Sequence, residues 1–361
     1  MSLLLDPPPV TGFRPFEPHP LLPNGHLQTI VARYLPGPAV RLPSTYHEVP
    51  IADGDRLTVL QSVPATWEQG DPTVILVHGL AGCVRSPYLS RVGLRLFRIG
   101  LRVLRMNMRG AGSGYGISRN FYHGGRSEDP RAVVEWLAKR APGSPIALVG
   151  FSLGANLVLK LAGEAADDPL PGFDCVVAAN PPLDLRACAL HIRKPQGRVY
   201  DRNFIGLLRD EERKLREAFP AHEPLDFSAI KTLFDFDDCY TAPRNGFRDA
   251  AEYYERSSSA PMIPRITAPG VVIHAADDPF IPVEPFLNVK FPRQLALELI
   301  PHGGHLGYFS RPDAQGDRRW LDARIVAWLA DRWGIDTRTA ELALRDRIHQ
   351  GGRDNHVRHR L

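Results

Sequence analysis

One serine in this chain lies in a setting that could make its hydroxyl a nucleophile. Ser152 stands between Gly150 and Gly154, after the apolar run from Ile146 to Val149 and before a helix-like run from Asn156 to Ala166. A strand, a sharp turn and a helix around a serine form a nucleophile elbow, in which the glycines leave room for the strained turn and the hydroxyl projects into open space. We therefore predict that Ser152 attacks a carbonyl carbon. The alternative is a serine that only caps the helix.

A serine hydroxyl is a weak nucleophile until a base removes its proton, so an elbow predicts an acid and then a histidine later in the chain. An apolar run ends just before Asp277 and Asp278. We predict Asp278 as the acid, because Pro279 biases it towards an extended or turn backbone that can aim the carboxylate at a neighbouring loop. Asp277 is the alternative acid, and its expected role is to cap a turn or to face solvent.

The histidine is expected on the loop after the next strand-like run, Leu295 to Ile300, and this loop contains His302 and His305. We predict His305 as the base, because the glycines around it allow the backbone to bring the ring back to Ser152. His302 is expected to be structural or to line the pocket. Two histidines three residues apart also suggest zinc, but the Gly-Gly pair between them disfavours a helix that would point both rings the same way. We expect no metal and no cofactor.

The tetrahedral intermediate of acyl transfer carries a negatively charged oxygen that needs backbone N–H donors. In an elbow one donor is the residue after the nucleophile, which is Leu153 here. The second donor is expected from the glycine turn after the apolar run Val74 to Val77, where we predict Leu80 and keep Gly79 as the alternative. The chain order serine, aspartate, histidine belongs to one fold among the several that use this triad.

Strand-like and helix-like segments alternate along most of the chain. The predicted strands are Thr45 to Pro50, Leu57 to Gln61, Val74 to His78, Leu101 to Met106, Ile146 to Val149, Cys175 to Ala179, Val271 to Ala275 and Leu295 to Ile300. The predicted helices are Tyr88 to Ile99, Arg131 to Ala141, Asn156 to Ala166 and Trp320 to Trp333. This alternation predicts an α/β fold with a mostly parallel, doubly wound sheet that is covered by helices on both faces.

The alternation is interrupted before the strand that leads to Asp278. We predict an N-terminal extension packed on the core (1–44), a core in two parts (45–185 and 267–335), a helical lid inserted between them (186–266) and a polar C-terminal tail (336–361). The predicted lid is rich in phenylalanine, tyrosine and leucine, so we expect it to line an acyl pocket. The alternative is that these side chains only hold the lid to the body of the protein.

Several motifs between Phe16 and Tyr308 carry a resemblance to a known family. They are Phe16 to Pro18, Asn24 to Thr29, His78 to Gly82, Asn107 to Gly110, Tyr122 to Gly124, Gly150 to Asn156, Ala276 to Pro279 and Gly303 to Tyr308. With them the chain resembles the α/β-hydrolase superfamily. It is more closely similar to the YheT-like esterase branch of that superfamily (the AB hydrolase 4 family), which is related to the mammalian abhydrolase-domain lipases.

The resemblance implies a triad of Ser152, Asp278 and His305, in agreement with the choice made from the residues themselves. The His-Leu-Gln-Thr element before residue 30 and Asn156 after the elbow indicate the branch. The mammalian relatives carry an N-terminal membrane helix that this sequence does not match, so the resemblance does not imply membrane anchoring.

Composition limits the possible classes of function. The chain has 361 residues, of which 43% are hydrophobic, and its 44 basic and 40 acidic side chains leave a formal charge of only +4. No basic stripe interleaved with aromatic residues precedes the tail, so we expect no nucleic-acid partner. The four cysteines lack C-x-x-C spacing and no run of about 18 apolar residues occurs, which predicts a cytoplasmic protein without a membrane span.

These features together predict a serine carboxylic-ester hydrolase that forms an acyl-enzyme and acts on small-molecule esters with apolar acyl chains. The same triad could also serve acyl transfer to an alcohol, or the cleavage of thioesters or amides. A different class would be a non-catalytic module that binds a lipid in the pocket. The intact set of serine, aspartate and histidine favours an enzyme over such a module.

Overall fold

A mixed sheet forms the centre of the protein. The computed structural model describes residues 13–35, 40–313, 316–340 and 342–343. The eight strands found in these residues are β1 (Thr45–Pro50), β2 (Arg56–Ser62), β3 (Thr73–Val77), β4 (Arg102–Met106), β5 (Ile146–Phe151), β6 (Phe173–Ala179), β7 (Gly270–Ala275) and β8 (Leu295–Ile300).

The strands lie in the order β1-β2-β4-β3-β5-β6-β7-β8. The β1–β2 and β2–β4 pairs are antiparallel, and every pair from β4 to β8 is parallel. The inner strands β3, β4, β5 and β7 are buried along their whole length, as expected for parallel strands with helices on both faces. The predicted α/β class with a mostly parallel sheet is therefore confirmed.

Helices cover both faces of the sheet and fill the connections. They are α1 (Gly25–Tyr34), α2 (Pro87–Arg98), α3 (Glu128–Ala138), α4 (Leu153–Glu164), α5 (Leu185–Ile192), α6 (Arg198–Ala218), α7 (Leu233–Phe236), α8 (Ala242–Arg244), α9 (Ala250–Ser257), α10 (Glu284–Asn288) and α11 (Trp320–Arg332). Two 3₁₀ helices, Gly112–Gly114 and Ala260–Arg265, and one π-helical turn, Asp237–Thr241, complete the set in the described ranges.

The alternation of side chains along each strand divides the core into two layers. On one face of the sheet, Val74 and Leu76 of β3 pack with α2 and α11. On the other face, Ile75 and Val77 pack with α3 and α4. The sheet is thereby held in place from both sides, and the ends of its parallel strands form a rigid edge on which a site can be built.

The predicted strands agree with the observed ones to within two residues at each end. The predicted helices agree to within three residues: both ends of α3 and the start of α4 lie three residues earlier than expected. Helix α4 begins at Leu153 because the elbow leads from β5 into the helix without a linker. Helix α1 was not predicted as a helix. It begins after Asn24, whose side chain accepts a hydrogen bond from the Leu27 N–H as an N-cap.

Between β6 and β7 the chain forms α5 to α9, the π-helical turn and the second 3₁₀ helix. This segment contains residues 186–266, which we call the insertion. Of the predicted N-terminal extension, residues 1–12 and 36–39 lie outside the described residues, as do residues 341 and 344–361 of the predicted tail. Within the described ranges, no helix combines the length and the apolar character that crossing a bilayer requires.

Candidate active site

Ser152 occupies the turn between β5 and α4 in a conformation that few residues adopt. Its φ of 52° and ψ of −122° are strained for a residue with a side chain. A side chain at Gly154 would overlap the carbonyl oxygens of Val77 and His78, and one at Gly150 would overlap the first turn of α4. Ser152 makes no side-chain capping hydrogen bond to its own helix, so the capping interpretation is wrong.

The structure brings Ser152, His305 and Asp278 together. The distance from Ser152 Oγ to His305 Nε2 is 2.9 Å, and that from His305 Nδ1 to Asp278 Oδ2 is 2.8 Å. The three residues follow β5, β7 and β8, whose carboxyl ends meet at the same edge of the sheet. A hydroxyl, an imidazole and a carboxylate joined in this order can move a proton from the oxygen to the ring while the carboxylate holds the ring.

The carboxylate of Asp278 is buried and surrounded by donors. Besides the His305 ring, Oδ2 accepts a hydrogen bond from the Asn180 side-chain amide at 2.7 Å, and Oδ1 accepts the N–H groups of Phe280 at 2.8 Å and Ile281 at 3.2 Å. Burial on its own would raise the pKa of Asp278, but the His305 ring, the nearby His274 ring and the hydrogen bond from the Phe280 N–H outweigh it and hold the pKa below its ordinary value. The group is therefore an ionised acceptor.

Asp277 and His302 lie beside this arrangement and belong to a different contact. Asp277 Oδ1 accepts the N–H of Gly304 at 2.9 Å, and Oδ2 lies 3.3 Å from Nδ1 of the exposed His302. The two neighbouring aspartates thus serve different partners: Asp278 meets the ring of His305, whereas Asp277 ties down the backbone of the loop. The two histidines likewise face two different carboxylates.

The loop that carries His305 is strained and is held by α1. Gly304, Leu306 and Tyr308 all have positive φ values, of 59°, 56° and 44°. The hydroxyl of Thr29 accepts the His305 N–H at 2.8 Å and donates to the carbonyl of Gly25 at 2.7 Å. Such backbone strain persists only where surrounding contacts enforce it.

Gln28, the neighbour of Thr29 on α1, is fully buried and bridges to the chain just past this loop. Its amide nitrogen donates to the carbonyls of Leu22 and Phe309, and its oxygen accepts the N–H of Phe309 at 2.7 Å. Sequence reasoning did not assign a role to Gln28, Thr29 or Asn180. The His-Leu-Gln-Thr motif was the available signal, but a motif alone does not tell which loop it contacts.

The loop after β3 approaches Ser152 from the other side. The Gly79 N–H donates to the hydroxyl of Tyr88 at 3.0 Å, and the Ala81 N–H donates to the hydroxyl of Tyr122 at 2.9 Å. By contrast, the N–H groups of Leu80 and Leu153 have no hydrogen-bond partner in the part of the chain that the structure describes. Of the two predicted donors on this loop, Gly79 is therefore already paired, whereas the N–H of Leu80 is unpaired in the described residues.

A cavity opens above Ser152 and His305. Leu80 and Leu153 line it from the core, and the insertion contributes apolar side chains that include Phe204, Leu208, Leu233 and Phe236. The predicted aromatic residues of the insertion thus divide into two groups. Some face this cavity, whereas others, such as Phe219 and Phe227, only pack against their neighbours.

One wall of the cavity is polar. Asp237 and Thr241, at the two ends of the π-helical turn, both line it, and the Tyr254 hydroxyl donates to Asp237 Oδ2 at 2.8 Å. Burial raises the pKa of Asp237 to about 7. π-helical turns are rare and are often found at functional sites. The cavity therefore offers a long apolar surface with one buried polar corner.

Comparison with known proteins agrees with the fold. The model of the α/β-hydrolase fold family matches residues 72–312. "Putative esterase YheT" of Escherichia coli (strain K12) is 32% identical over 310 residues, covering 85% of this chain and 90% of that protein. A monoacylglycerol lipase of Saccharomyces cerevisiae is 31% identical over 273 residues, covering 73% of this chain and 60% of the lipase.

Among solved structures, the Pyrococcus furiosus esterase Pf2001 superposes with a TM-score of 0.53 at 16% identity, covering 89% of this chain and 99% of the esterase. A likeness at this identity shows the fold alone. The family match and the relative at 32% identity show the family as well, because they extend over most of the chain. The chain therefore belongs to the α/β-hydrolase fold family, in the esterase and lipase branch that includes YheT.

Proposed function

We propose that the protein hydrolyses carboxylic esters through a triad of Ser152, His305 and Asp278. The observation that carries this proposal is the unbroken chain of hydrogen bonds from Ser152 Oγ through the His305 ring to Asp278 Oδ2, at the base of an apolar cavity. A serine that served only to bind or to cap would not need an imidazole at 2.9 Å. The esterase and lipase names of the relatives support the same class of substrate.

In the first half of the reaction, His305 Nε2 takes the proton of Ser152 as the serine oxygen attacks the ester carbonyl carbon. The tetrahedral intermediate then collapses. The alcohol leaves with the proton from His305, and the acyl group stays on Ser152. Asp278 remains ionised throughout, holds the Nδ1–H of the ring, and stabilises the positive charge that the ring carries between the two proton transfers.

In the second half, His305 removes a proton from the water molecule that attacks the acyl-enzyme. When this second intermediate collapses, the bond from the acyl carbon to Ser152 Oγ breaks, His305 returns the proton to Ser152, and the carboxylic acid is released. In both halves the negative charge on the former carbonyl oxygen requires donors. We assign this role to the N–H groups of Leu80 and Leu153, which flank the cavity beside Ser152 and are free in the described residues. Donors that are already fixed before reaction can stabilise an oxyanion without reorganising.

The insertion is proposed to act as a lid whose inner side binds an apolar acyl chain. Phe204, Leu208, Leu233 and Phe236 face the cavity from this segment. Burying a methylene group against such side chains is worth about 0.8 kcal/mol. The N-terminal extension is proposed to act as part of the core unit, because α1 contacts the loop of His305 directly.

A Ser152→Ala variant tests the nucleophile. We expect p-nitrophenyl ester hydrolysis to fall by about 10⁴ or more and labelling by a fluorophosphonate probe to disappear. Ser228→Ala is the matched control, because Ser228 is exposed, lies outside the cavity lining, and donates its hydroxyl to Asp226. Residual hydrolysis above roughly one tenth of the parent rate in Ser152→Ala would refute the assignment. Labelling that persists in this variant would point to another nucleophile.

A further inference from the structure

Tyr122 lies in the connection between β4 and α3, where its buried hydroxyl makes two hydrogen bonds. It accepts the N–H of Ala81 at 2.9 Å and donates to Glu211 Oε2 at 2.7 Å. Its ring stacks on Phe121 with a centroid distance of 4.7 Å. The hydroxyl thus joins the loop after β3 to helix α6, which lies more than a hundred positions later in the sequence.

The contact with Ala81 bears directly on the orientation of Leu80. The N–H groups before and after Leu80 are held by two tyrosine hydroxyls, from Tyr88 and Tyr122, so the Leu80 peptide is fixed from both sides. Ala81 also has a φ of 54°, a left-handed conformation that is unfavourable for alanine. A loop with such a residue needs outside contacts to keep its shape. Tyr122 supplies one of them.

The contact with Glu211 connects the same loop to the insertion. Glu211 belongs to α6, and α6 also carries Phe204 and Leu208, which form part of the cavity wall. Burial raises the pKa of Glu211 to about 7, and above that pH its carboxylate accepts a stronger hydrogen bond from the Tyr122 hydroxyl than a neutral partner would. Glu211 therefore holds the Tyr122 hydroxyl in the direction in which its oxygen accepts the Ala81 N–H. The Tyr122 hydroxyl thus links the position of helix α6 to the shape of the loop after β3.

We propose that Tyr122 is a positioning residue for the oxyanion hole, and that Glu211 couples the oxyanion hole to the position of helix α6. The oxyanion donor at Leu80 is then fully aligned only when α6 lies against the core, as it does when the cavity wall is complete. This inference rests on the proposed ester hydrolysis, and it adds a link between substrate enclosure and stabilisation of the intermediate.

The first test is Tyr122→Phe, which keeps the stacked ring and removes only the hydroxyl. The Ala81 N–H then loses its acceptor, and we expect kcat to fall by roughly ten- to a hundredfold while KM stays within about twofold. The inhibition constant of an alkyl trifluoromethyl ketone should rise by a similar factor, since its oxyanion occupies the same hole. Tyr240→Phe is the control, because its ring packs on Phe121 from the insertion but its hydroxyl makes neither of the Tyr122 contacts.

The second test changes Glu211, which holds the Tyr122 hydroxyl from helix α6. Glu211→Leu should lower kcat in the same direction as Tyr122→Phe, whereas Glu211→Gln keeps an acceptor and should restore most of the activity. The double variant Tyr122→Phe/Glu211→Leu should be no slower than Tyr122→Phe, because both changes act through the same hydroxyl.

A normal kcat in folded Tyr122→Phe, or a change confined to KM, would overturn the proposal. If Tyr122→Phe does not fold, the comparison of Glu211→Leu with Glu211→Gln tests the proposal instead. Equal kcat values in the parent and these two variants would then overturn it. Ser152→Ala is assayed in parallel. An active Ser152→Ala would reject the proposed function itself. An inactive Ser152→Ala beside a fully active Tyr122→Phe would reject the roles proposed for Tyr122 and Glu211 and leave the proposed function standing.

Discussion

Replacing the buried carboxylate of Asp278 by an amide should remove nearly all turnover, and the contacts of this group explain why. Four donors converge on it: the His305 ring and the Asn180 amide on Oδ2, and the N–H groups of Phe280 and Ile281 on Oδ1. The side chain in Asp278→Asn has the same shape but only one oxygen. Its NH₂ group must therefore face two of these donors.

The donors on the two oxygens of Asp278 differ in whether they can become hydrogen-bond acceptors. Backbone N–H groups cannot become acceptors, so the amide oxygen is expected to stay with Phe280 and Ile281. The NH₂ group then faces the His305 ring, which can accept only by carrying its proton on Nε2 instead of Nδ1. In that tautomer Nε2 cannot take the proton of Ser152. The wrong tautomer costs about 10⁴ in kcat in serine hydrolases of other folds, which corresponds to about 5 kcal/mol in activation free energy.

Asp277→Asn is the matched control, because it makes the same chemical change one residue away. Its amide oxygen can still accept the Gly304 N–H, and its NH₂ group meets only the exposed His302 ring. We expect a loss of less than about tenfold. The assay is kcat and KM for p-nitrophenyl butyrate near pH 8, with thermal unfolding to confirm that both variants fold. A larger loss in Asp277→Asn, or more than about one tenth of the parent kcat in Asp278→Asn, would refute the reasoning.

Three further outcomes are expected. Extending the acyl group from two to six carbons should raise kcat/KM by roughly 10² if each methylene is buried in the cavity, and a profile that is flat or falls steadily from acetyl would mean that the insertion's apolar side chains are structural only. Thr29→Val removes the acceptor of the His305 N–H and should lower kcat by about tenfold at unchanged KM, whereas Thr29→Ser keeps the hydroxyl and should retain activity; equal kcat values for the two variants would contradict this. Burial raises the pKa of Asp237 to about 7, so the folded protein holds a proton that the unfolded chain releases, and the contribution of this group to the free energy of unfolding is lost as pH rises from about 4 to about 7. Relative to the parent, the free energy of unfolding of Asp237→Asn should therefore rise by up to about 4 kcal/mol over this pH range in urea unfolding, and a constant difference between the two proteins would contradict this.

The strands, the elbow and the order of the chemical groups could be predicted because they depend on local features of the chain. Apolar runs report burial, and two glycines around a serine report a strained turn, wherever the rest of the chain lies. The eight predicted strands and the positions of Ser152, Asp278 and His305 at the ends of three of them came from such features. Helix α1 was not predicted, and the residues it buries are Gly25, Gln28 and Thr29, so polar contacts rather than an apolar run hold it against the rest of the chain.

The tertiary structure alone decided the contacts between distant parts of the chain. Pro279 favoured Asp278 over Asp277 in the sequence, but that the two carboxylates meet two different histidines is a fact of the tertiary structure. Whether Leu80 or Gly79 has a free N–H depends on where the hydroxyl of Tyr88 lies. Thr29 reaches His305 across 276 positions of sequence. Local spacing cannot report such pairs, because the direction of a hydrogen bond is set by the packing of whole elements against each other, and that packing is a property of the complete fold.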